Sequence, residues 1–311
     1  METDQFGTEC ICVSFPGPGE VKVANEKSRE KSWEFDEVFS YASTQPQVYA
    51  EASALVTSVM DGYNVCIFAY GQTGSGKTFT MVGPPEDRGV NLRALDELLA
   101  KAHGRADEYV DTISVSILEV YNEEIHDLLV DSGSSDKLEV RQSEQGNYVP
   151  GLTTLPVQSM RNVLDLLAVA DRNRSVATTN MNEHSSRSHM MLQVTIASQN
   201  LQTGTSTRGK LNLVDLAGSE RLNKSGAEGK ALKEAQNINK SLSALGDVIA
   251  ARAQKQSHVP FRNSTLTYLL QVRSPLPSPL LRSSKSLVLT TKTSPPPIPL
   301  RTRSRKTARP S

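Results

Sequence analysis

The sequence predicts an α/β fold in which a sheet carries helices on both faces. Two observations lead to this prediction. Apolar runs of strand length alternate along the chain with amphipathic helical patterns. One of those runs, Asn64–Tyr70, is followed directly by a glycine-rich loop, as expected where a buried parallel strand meets the N-terminus of a helix.

The elements before the glycine-rich loop are predicted to be short strands and one helix. Cys10–Phe15 and Val21–Ala24 flank a Pro-Gly-Pro-Gly turn, which is typical of a hairpin. Residues 44–61 are predicted to form a helix. Thr44 and Gln47 have the spacing of a capping box, the apolar residues that follow lie on one face, and Gly62 can end the helix.

Beyond the loop, helical and strand patterns continue to alternate. The predicted elements are a helix near 92–103, a strand at Thr112–Val120, a helix that Ser159 can cap, strands at Met190–Ser198 and Lys210–Leu216, and a long helix at about 231–253. This order is typical of an α/β sheet, and the chain contains no internal repeat.

Charge is divided unevenly between a body and a tail. Nine of the 34 Lys/Arg and none of the 34 Asp/Glu lie in Val272–Ser311, so residues 1–271 are acidic although the whole chain is neutral. The same segment holds eight of the sixteen prolines, and such a composition cannot bury enough apolar surface to fold alone. We therefore predict a domain at 1–271 and a basic, Pro/Ser/Thr-rich disordered tail at 272–311.

Composition also narrows the class of protein. The three cysteines have no metal-ligand spacing and indicate no disulfide framework, and Cys66 lies within the apolar strand, where a buried thiol is expected. No apolar run reaches the roughly 18 residues of a membrane span, and no signal-peptide pattern opens the chain. The expected location is the cytoplasm.

The glycine-rich loop, Gly71–Thr78, fits the pattern Gly-x-x-x-x-Gly-Lys-Thr that binds nucleotide phosphates. Glycines let the backbone turn so that its N–H groups point at phosphate oxygens. Lys77 is predicted to reach the β- and γ-phosphates, and the Thr78 hydroxyl to hold Mg²⁺. The alternative is a flexible Gly/Ser loop that matches by chance, and the preceding strand argues against it.

Two further motifs are typical of a site that detects a terminal phosphate. Asp215 ends an apolar strand, where its carboxylate can hold the waters of Mg²⁺, and Gly218 can bring its N–H against the γ-phosphate. The hydroxyls of Asn182–His189 can bind Mg²⁺ and position water. Alone, the first pattern would be a strand-ending turn and the second a polar surface loop. Beside a phosphate loop, both favour a nucleotide site.

Together these motifs resemble those of the kinesin motor domain. The matching segments, which lie within about Phe35 to Gln271, are Gly71–Thr78, Asn182–His189, Asp215–Glu220, Glu119–Glu123, Asn237–Leu242 and His258–Ser264. Residues 88–95 resemble the C-terminal-motor, minus-end-directed subgroup more than they resemble other kinesins. The resemblance implies a P-loop NTPase fold of the kinesin type, whose central mixed sheet is mostly parallel at its core. It also implies ATP and Mg²⁺ as cofactors and microtubules as the partner.

The resemblance also implies roles for single residues in two segments, Asn182–His189 (the first switch) and Asp215–Glu220 (the second switch). Ser186 and Thr78 bind Mg²⁺ on this analogy, and Asp215 acts through water. Ser185 orients the attacking water, and Gly218 senses the γ-phosphate. Arg187 forms a salt bridge with Glu220. The implied nucleotide-binding residues are Gly71, Gln72, Thr73, Gly74, Ser75, Gly76, Lys77, Thr78 and Phe79, the last lying against the adenine.

Microtubule contact is implied for Leu222–Gln236, the helix that follows, and His258–Ser264. The implied contact residues are basic, in a body that is acidic overall: Lys224, Lys230, Lys233, Lys240, Arg252 and Arg262. Local positive charge is what attraction to the acidic surface of tubulin requires. A solvated helix face is the alternative for Lys230 and Lys233.

The chain departs from the family at both ends. Nothing before Phe35 resembles the first family strand, which ends in Arg-x-Arg-Pro, and Val272–Ser311 replaces the last core strand and the final helix. Lys285–Leu289 is weakly similar to that last strand, but its Pro-rich flanks argue against it. The sheet is therefore expected to lack both strands, as in a truncated product with an unrelated extension, and to expose unpaired backbone.

The leading interpretation is an ATP-hydrolysing microtubule motor domain. The alternative is a truncated microtubule- or tubulin-binding module without ATP turnover, because the implied binding elements are present while the two strands are not. Another P-loop NTPase, such as a GTPase, is disfavoured, because it leaves the first switch and Asn237–Leu242 unexplained. Directionality, cargo and oligomeric state are not visible in the sequence.

Overall fold

The computed structural model describes residues 13–24, 30–130, 137–143, 146–178, 184–220, 229–271 and 285–290. The described residues belong to two compact units, one within residues 1–44 and the other within 45–297. No helix in these ranges is long and apolar enough to cross a membrane.

The first unit contains a small antiparallel sheet. Its strands are β1 (Val13–Gly17), β2 (Glu20–Ala24) and β3 (Glu30–Glu34), in the order β1-β2-β3. The turn between β1 and β2 uses Gly19 at φ 73°, and a Cβ there would lie 2.6 Å from the Phe35 carbonyl oxygen. The predicted hairpin is thus confirmed from Val13 onward, and Cys10 to Cys12 lie outside the described residues.

The second unit alternates helices and strands, as the sequence predicts. Its elements are α1 (Gln45–Ser58), β4 (Asn64–Tyr70), α2 (Lys77–Met81), α3 (Val90–Gly104), β5 (Tyr109–Tyr121), β6 (Glu124–Asp127), β7 (Arg141–Ser143), β8 (Gly146–Tyr148), β9 (Leu155–Pro156), α4 (Met160–Thr178), α5 (His184–Arg187), β10 (His189–Asn200), β11 (Ser206–Asp215), α6 (Lys230–Ala253), α7 (Thr265–Leu269) and β12 (Lys285–Thr290). After α1 a 3-10 turn ends at Gly62, whose φ of 86° is left-handed.

The central sheet has the order β12-β4-β11-β10-β5-β6, with β9 paired to β5. Strands β12, β4 and β11 are parallel, whereas β11, β10, β5 and β6 pair antiparallel. The sheet is therefore mixed with a parallel core, as predicted. The parallel pairing places Asp215, at the end of β11, opposite Ala69 at the end of β4.

Both faces of the sheet are covered by helices. Successive side chains of a strand point to opposite faces, so neighbouring residues of β4 show which helices cover each face. Ile67 packs into a core that includes Leu95 of α3 and residues of α1 and α4. Its neighbour Phe68 packs into a second core with Leu245 of α6 and Leu266 of α7. Ile67 and Phe68 are at most 2% exposed, so β4 is dry on both faces.

Strand β12 corrects the expectation that the last core strand is missing. Residues 285–290 pair in parallel with residues 65–70 of β4, from Lys285 opposite Val65 to Thr290 opposite Tyr70. The Pro-rich flanks argued against this strand, but the six residues between them contain no proline, and β4 requires hydrogen-bond partners along its edge. The rest of the predicted tail lies outside the described residues. No described segment before α1 joins the central sheet.

Candidate functional site

The phosphate loop, Gly71–Thr78, connects the C-terminal end of β4 to α2. Gly74 and Gly76 have φ angles of 75° and 97°, which residues with a side chain rarely adopt. The loop therefore requires glycine at these two positions. Helix α2 begins directly at Lys77, after Gly76.

The Lys77 side chain packs against this loop and is not exposed to solvent. Its side chain is buried, and Nζ donates a hydrogen bond of 2.9 Å to the Gln72 carbonyl oxygen. Burial lowers the pKa of Lys77, and the nearby carboxylates of Asp215 and Glu220 oppose that shift. The ammonium group is thus held close to the loop backbone, at the position where a phosphate-binding lysine is required.

Thr78 and Asp215 are brought together as the sequence analysis expected. The Thr78 hydroxyl donates to Asp215 Oδ2 at 2.6 Å, and burial raises the pKa of Asp215 despite this bond and the charge of Lys77. The other carboxylate oxygen, Oδ1, is buried without a hydrogen-bond partner among the described residues. A hydroxyl beside an unpartnered carboxylate oxygen is a donor set that suits Mg²⁺, so these residues fit the ion.

Backbone hydrogen bonds join the two switches and the phosphate loop. The Gly218 N–H donates to the Ser186 carbonyl oxygen at 2.8 Å, and the Ser219 N–H donates to the Gly71 carbonyl oxygen at 3.1 Å. Three segments that are far apart in sequence therefore meet at one end of β4 and β11. A shift of the second switch must disturb at least one of the other two segments.

The structure corrects the expected Arg187–Glu220 salt bridge. Arg187 instead pairs with Glu234 of α6 at 2.7 Å, and the Glu234 side chain is only 6% exposed. Glu220 accepts hydrogen bonds from the Thr73 N–H at 2.9 Å and the Thr73 hydroxyl at 2.6 Å. Burial alone would raise the pKa of Glu220, but the bonds from Thr73 lower it. Glu220 therefore bonds to the phosphate loop instead of to Arg187, and Arg187 bonds to α6.

A comparison with known proteins identifies the family to which this arrangement belongs. The family model described as the kinesin motor domain matches residues 8–274. The chain belongs to the kinesin motor domain family. The match covers the phosphate loop, both switches and helices α6 and α7, so the family resemblance inferred from the motifs is confirmed.

Similar proteins agree with the subgroup that the sequence indicates. The kinesin-like protein KIN-14E of Oryza sativa subsp. japonica is 54% identical over 268 residues, which are 85% of this chain and 25% of that protein. A solved fast kinesin superposes with a TM-score of 0.79 at 38% identity, covering 90% of this chain and 79% of that one. The C-terminal motor and motor homology domain of Kar3Vik1, fused to a synthetic coiled coil, gives a TM-score of 0.77 at 40% identity, with coverages of 88% and 69%.

The chain spans about a quarter of the length of the curated relatives that it matches. Its similarity to them is therefore a similarity of motor domains.

Within this kinesin fold, His189 connects the second switch to α6. The Ala217 N–H donates to His189 Nδ1 at 3.0 Å, so Nδ1 must accept and Nε2 carries the proton. Nε2 then donates to the Ser241 hydroxyl at 2.7 Å, and that hydroxyl donates to the Ile238 carbonyl oxygen at 2.8 Å. Burial lowers the pKa of His189 to about 4, and the charge of Glu119 opposes the shift. The imidazole is neutral at pH 7.

A buried ion pair is hydrogen-bonded to the first switch through Ser188. Arg174 of α4 donates to Glu119 at 2.9 Å, and both side chains are largely buried. Ser188 donates to the same Glu119 oxygen at 2.5 Å and accepts from Arg174 at 3.1 Å. The residue that follows Arg187 is thus attached to both β5 and α4.

The other predicted site residues are placed as follows. Phe79 lies in α2 and is 58% exposed, and its carbonyl oxygen accepts a hydrogen bond from the Gln45 side chain. The backbone of Ser185 lies in α5, but its side chain lies outside the described residues. The roles of these two residues therefore stay predictions.

The basic residues expected to contact microtubules are exposed where the structure describes them. Lys233, Lys240 and Arg252 lie on α6, and Arg262 lies in the turn before α7. Lys240 is 3.5 Å from the carboxylate of Glu123. Lys224 and the side chain of Lys230 lie outside the described residues.

Sequence reasoning missed Glu234, His189 and the turn that contains Asn122. Glu119–Glu123 was recognised as a family match, but no role was inferred for its residues. The available signal was the polar residue spacing of α6, where Glu234, Asn237 and Ser241 recur at three- and four-residue intervals on one face. Sequence alone does not reveal what such a face contacts.

Proposed function

We propose that this chain is a motor domain that binds and hydrolyses ATP and couples hydrolysis to binding and movement along microtubules. The observation that carries the proposal is the pair of Thr78 and Asp215 beside buried Lys77, with Asp215 Oδ1 unpartnered. Backbone bonds attach this group to both switches, as a device that detects a terminal phosphate requires.

The residues of the site suit phosphoryl transfer to water. Bound ATP with Mg²⁺ supplies the transferred phosphoryl group and the charge that the protein must stabilise. Lys77 places a cation at the loop, and Thr78, Ser186 and Asp215 would supply oxygens for the ion, Asp215 through water. Gly218 places a backbone N–H at the meeting point of the switches, and Ser185 would hold the attacking water. The exposed ring of Phe79 offers a flat apolar surface to the adenine.

Microtubules are proposed as the partner because the exposed basic residues belong to α6 and the turn before α7. Residues 1–271 carry 34 Asp/Glu against 25 Lys/Arg, so this positive cluster is local. It suits the acidic surface of tubulin. Such a motor domain works on the microtubule cytoskeleton of the cytoplasm.

A microtubule-binding module without ATP turnover is the competing function. Its main support was the expected loss of the first and last core strands of the sheet. Strand β12 occupies one of those positions and pairs with β4 over six residues. The strand that carries the phosphate loop thus has hydrogen-bonded neighbours on both sides, which favours a competent loop.

ATPase rates with and without microtubules test the proposal. We expect microtubule-stimulated turnover for the unmodified chain and a loss of at least about 100-fold for Lys77→Ala, because that change removes a cation from the transition state. Lys137→Ala is the matched control, since Lys137 is an exposed lysine that belongs to neither the phosphate loop nor the switches. Microtubule binding without turnover in the unmodified chain would favour the module instead.

A further inference from the structure

The hairpin turn between β5 and β6 has a backbone conformation that its residues do not favour. Tyr121 pairs with Glu124, so the turn consists of Asn122 and Glu123 alone. Both residues have positive φ angles, 57° and 67°. Asn tolerates this region, but Glu does so poorly, and such a turn normally contains glycine. A strained conformation of this kind persists only where surrounding contacts hold it.

Three successive residues, Tyr121 at the end of β5 and the two residues of the turn, contact α6 in register. The Tyr121 hydroxyl bonds to Glu234, and burial together with this contact raises the pKa of Tyr121 to about 12. Asn122 Oδ1 accepts from Asn237 Nδ2 at 2.7 Å, and Glu123 Oε2 lies 3.5 Å from Lys240 Nζ. The three helix positions follow at intervals of three residues. Each step along the turn therefore corresponds to about 4.5 Å along the helix axis.

The same turn also holds the start of α7. The Thr265 N–H donates to Glu123 Oε2 at 2.9 Å, and the Thr265 hydroxyl donates to the Glu123 carbonyl oxygen at 2.8 Å. The left-handed conformation of Glu123 therefore presents its carbonyl oxygen and its carboxylate to one residue of α7. The turn therefore bonds to both α6 and α7.

Glu234 connects the turn to the first switch. Its carboxylate, nearly inaccessible to solvent, receives both the Tyr121 hydroxyl and the Arg187 guanidinium. A cavity between Asn122, Arg187 and Asn237 holds only about 10 Å³, the space of a single water. The contacts are therefore close packed, and a displacement of α6 along its axis must alter the hydrogen bonding of Arg187.

We propose that Tyr121, Asn122 and Glu123 form a clamp that holds α6 in register with Arg187, and so transmits microtubule binding to the nucleotide site. The three are positioning residues, since their contacts are with α6 and α7 and they act on the site through Glu234 and Arg187. The inference rests on the proposed motor function for its consequence, but the register itself is a property of the described fold.

Asn122→Gly is the most informative variant. Glycine adopts the left-handed region without strain, so the turn is retained while the acceptor for Asn237 is lost. Asn237→Ala removes the partner and keeps the helix. We expect each variant to lower the ratio of microtubule-stimulated to basal ATPase by about three- to tenfold, and the double variant to lower it no further than the worse single one. Glu124→Gln, the exposed neighbour in the same hairpin, is the control with an unchanged ratio.

A second measurement does not require activity. Hydrogen exchange of α6 peptides, followed by mass spectrometry, should be faster in Asn122→Gly and in Asn237→Ala than in Glu124→Gln, with the remainder of the sheet unchanged. If the unmodified chain shows no microtubule stimulation but the exchange pattern is as expected, the motor function fails while the clamp stands.

Either of two results overturns the clamp. One is that both variants leave the exchange of α6 unchanged. The other is that basal and stimulated rates fall by the same factor together with the melting temperature, as expected of a turn that only stabilises the fold.

Discussion

The two faces of the central sheet both place carboxylates among helices, but they connect different parts of the molecule. On the face covered by α1 and α3, Glu97 accepts hydrogen bonds from Tyr49, Ser53 and Thr57, all of them on α1. On the face covered by α6 and α7, Glu234 bonds to Arg187 of the first switch. The first carboxylate joins two helices to each other, whereas the second joins a helix to the site.

The apolar cores of the two faces do not differ in this way. Each face buries alternate residues of β4 against aliphatic side chains of its own helices. Apolar burial stabilises both layers without regard to direction, because the hydrophobic effect is not directional. Hydrogen bonds and ion pairs require defined geometry. They therefore decide which face is mechanically connected to the nucleotide site. We expect the α1/α3 face to support stability and the α6/α7 face to support coupling as well.

The largest expected effect comes from two adjacent core substitutions. Ile67→Ala opens a cavity on the α1/α3 face and Phe68→Ala opens one on the α6/α7 face. We expect the free energy of unfolding to fall by about 2–5 kcal/mol for the first and about 3–5 kcal/mol for the second. Urea denaturation measures this. In the temperature range where both remain folded, only Phe68→Ala should reduce microtubule stimulation; equal reduction by both would remove the distinction between the faces.

An intermediate effect is expected from acid, through His189 on the α6 side. Its pKa is about 4 in the folded chain, below the usual 6.5, so the unfolded chain binds more protons between these values. Stability is therefore expected to fall as the pH decreases from about 6.5 to 4, by up to about 3 kcal/mol from this residue. His189→Gln keeps a donor and an acceptor but does not titrate.

Unfolding curves at several pH values separate the contribution of His189 from that of other groups. The variant His189→Gln should show a shallower loss of stability in that range than the unmodified chain. Parallel pH dependences for the two proteins would mean that the buried imidazole is not the group responsible.

The smallest expected effect comes from Glu97→Gln on the α1/α3 face. Replacing the carboxylate by an amide weakens the bonds from Tyr49, Ser53 and Thr57, and we expect a loss of about 1–2 kcal/mol in thermal or chemical unfolding. The ratio of stimulated to basal ATPase should not change. Lys101→Ala is the control, because its exposed pair with Glu97 at 3.7 Å contributes little. A changed ratio in Glu97→Gln would show that this face is coupled too.

Local features of the fold were predictable because a few consecutive residues determine them. The end of the first helix at Gly62, the strand Asn64–Tyr70 and the left-handed glycines of the phosphate loop follow from chain conformation alone. The meeting of Thr78 and Asp215 was also expected, since parallel strands bring their ends to one edge of the sheet.

Partners distant in sequence were harder to predict. The family resemblance implied that Arg187 pairs with Glu220, but the pairing with Glu234 depends on where α6 lies. Strand β12 was rejected on composition, yet the open edge of β4 provides partners for its backbone. In both cases a residue's own neighbours in sequence contain no information about the group that satisfies it.

By itself, the sequence determined the α/β class, the phosphate loop, the two switches and membership of the kinesin family, because these depend on short-range conformation and on motif spacing. Only the tertiary structure decided that Arg187 pairs with Glu234, that Glu220 accepts hydrogen bonds from Thr73, and that Asn122 bonds to α6. The reason is physical: a charged or polar side chain that loses water must find a partner, and packing decides which partner is within reach.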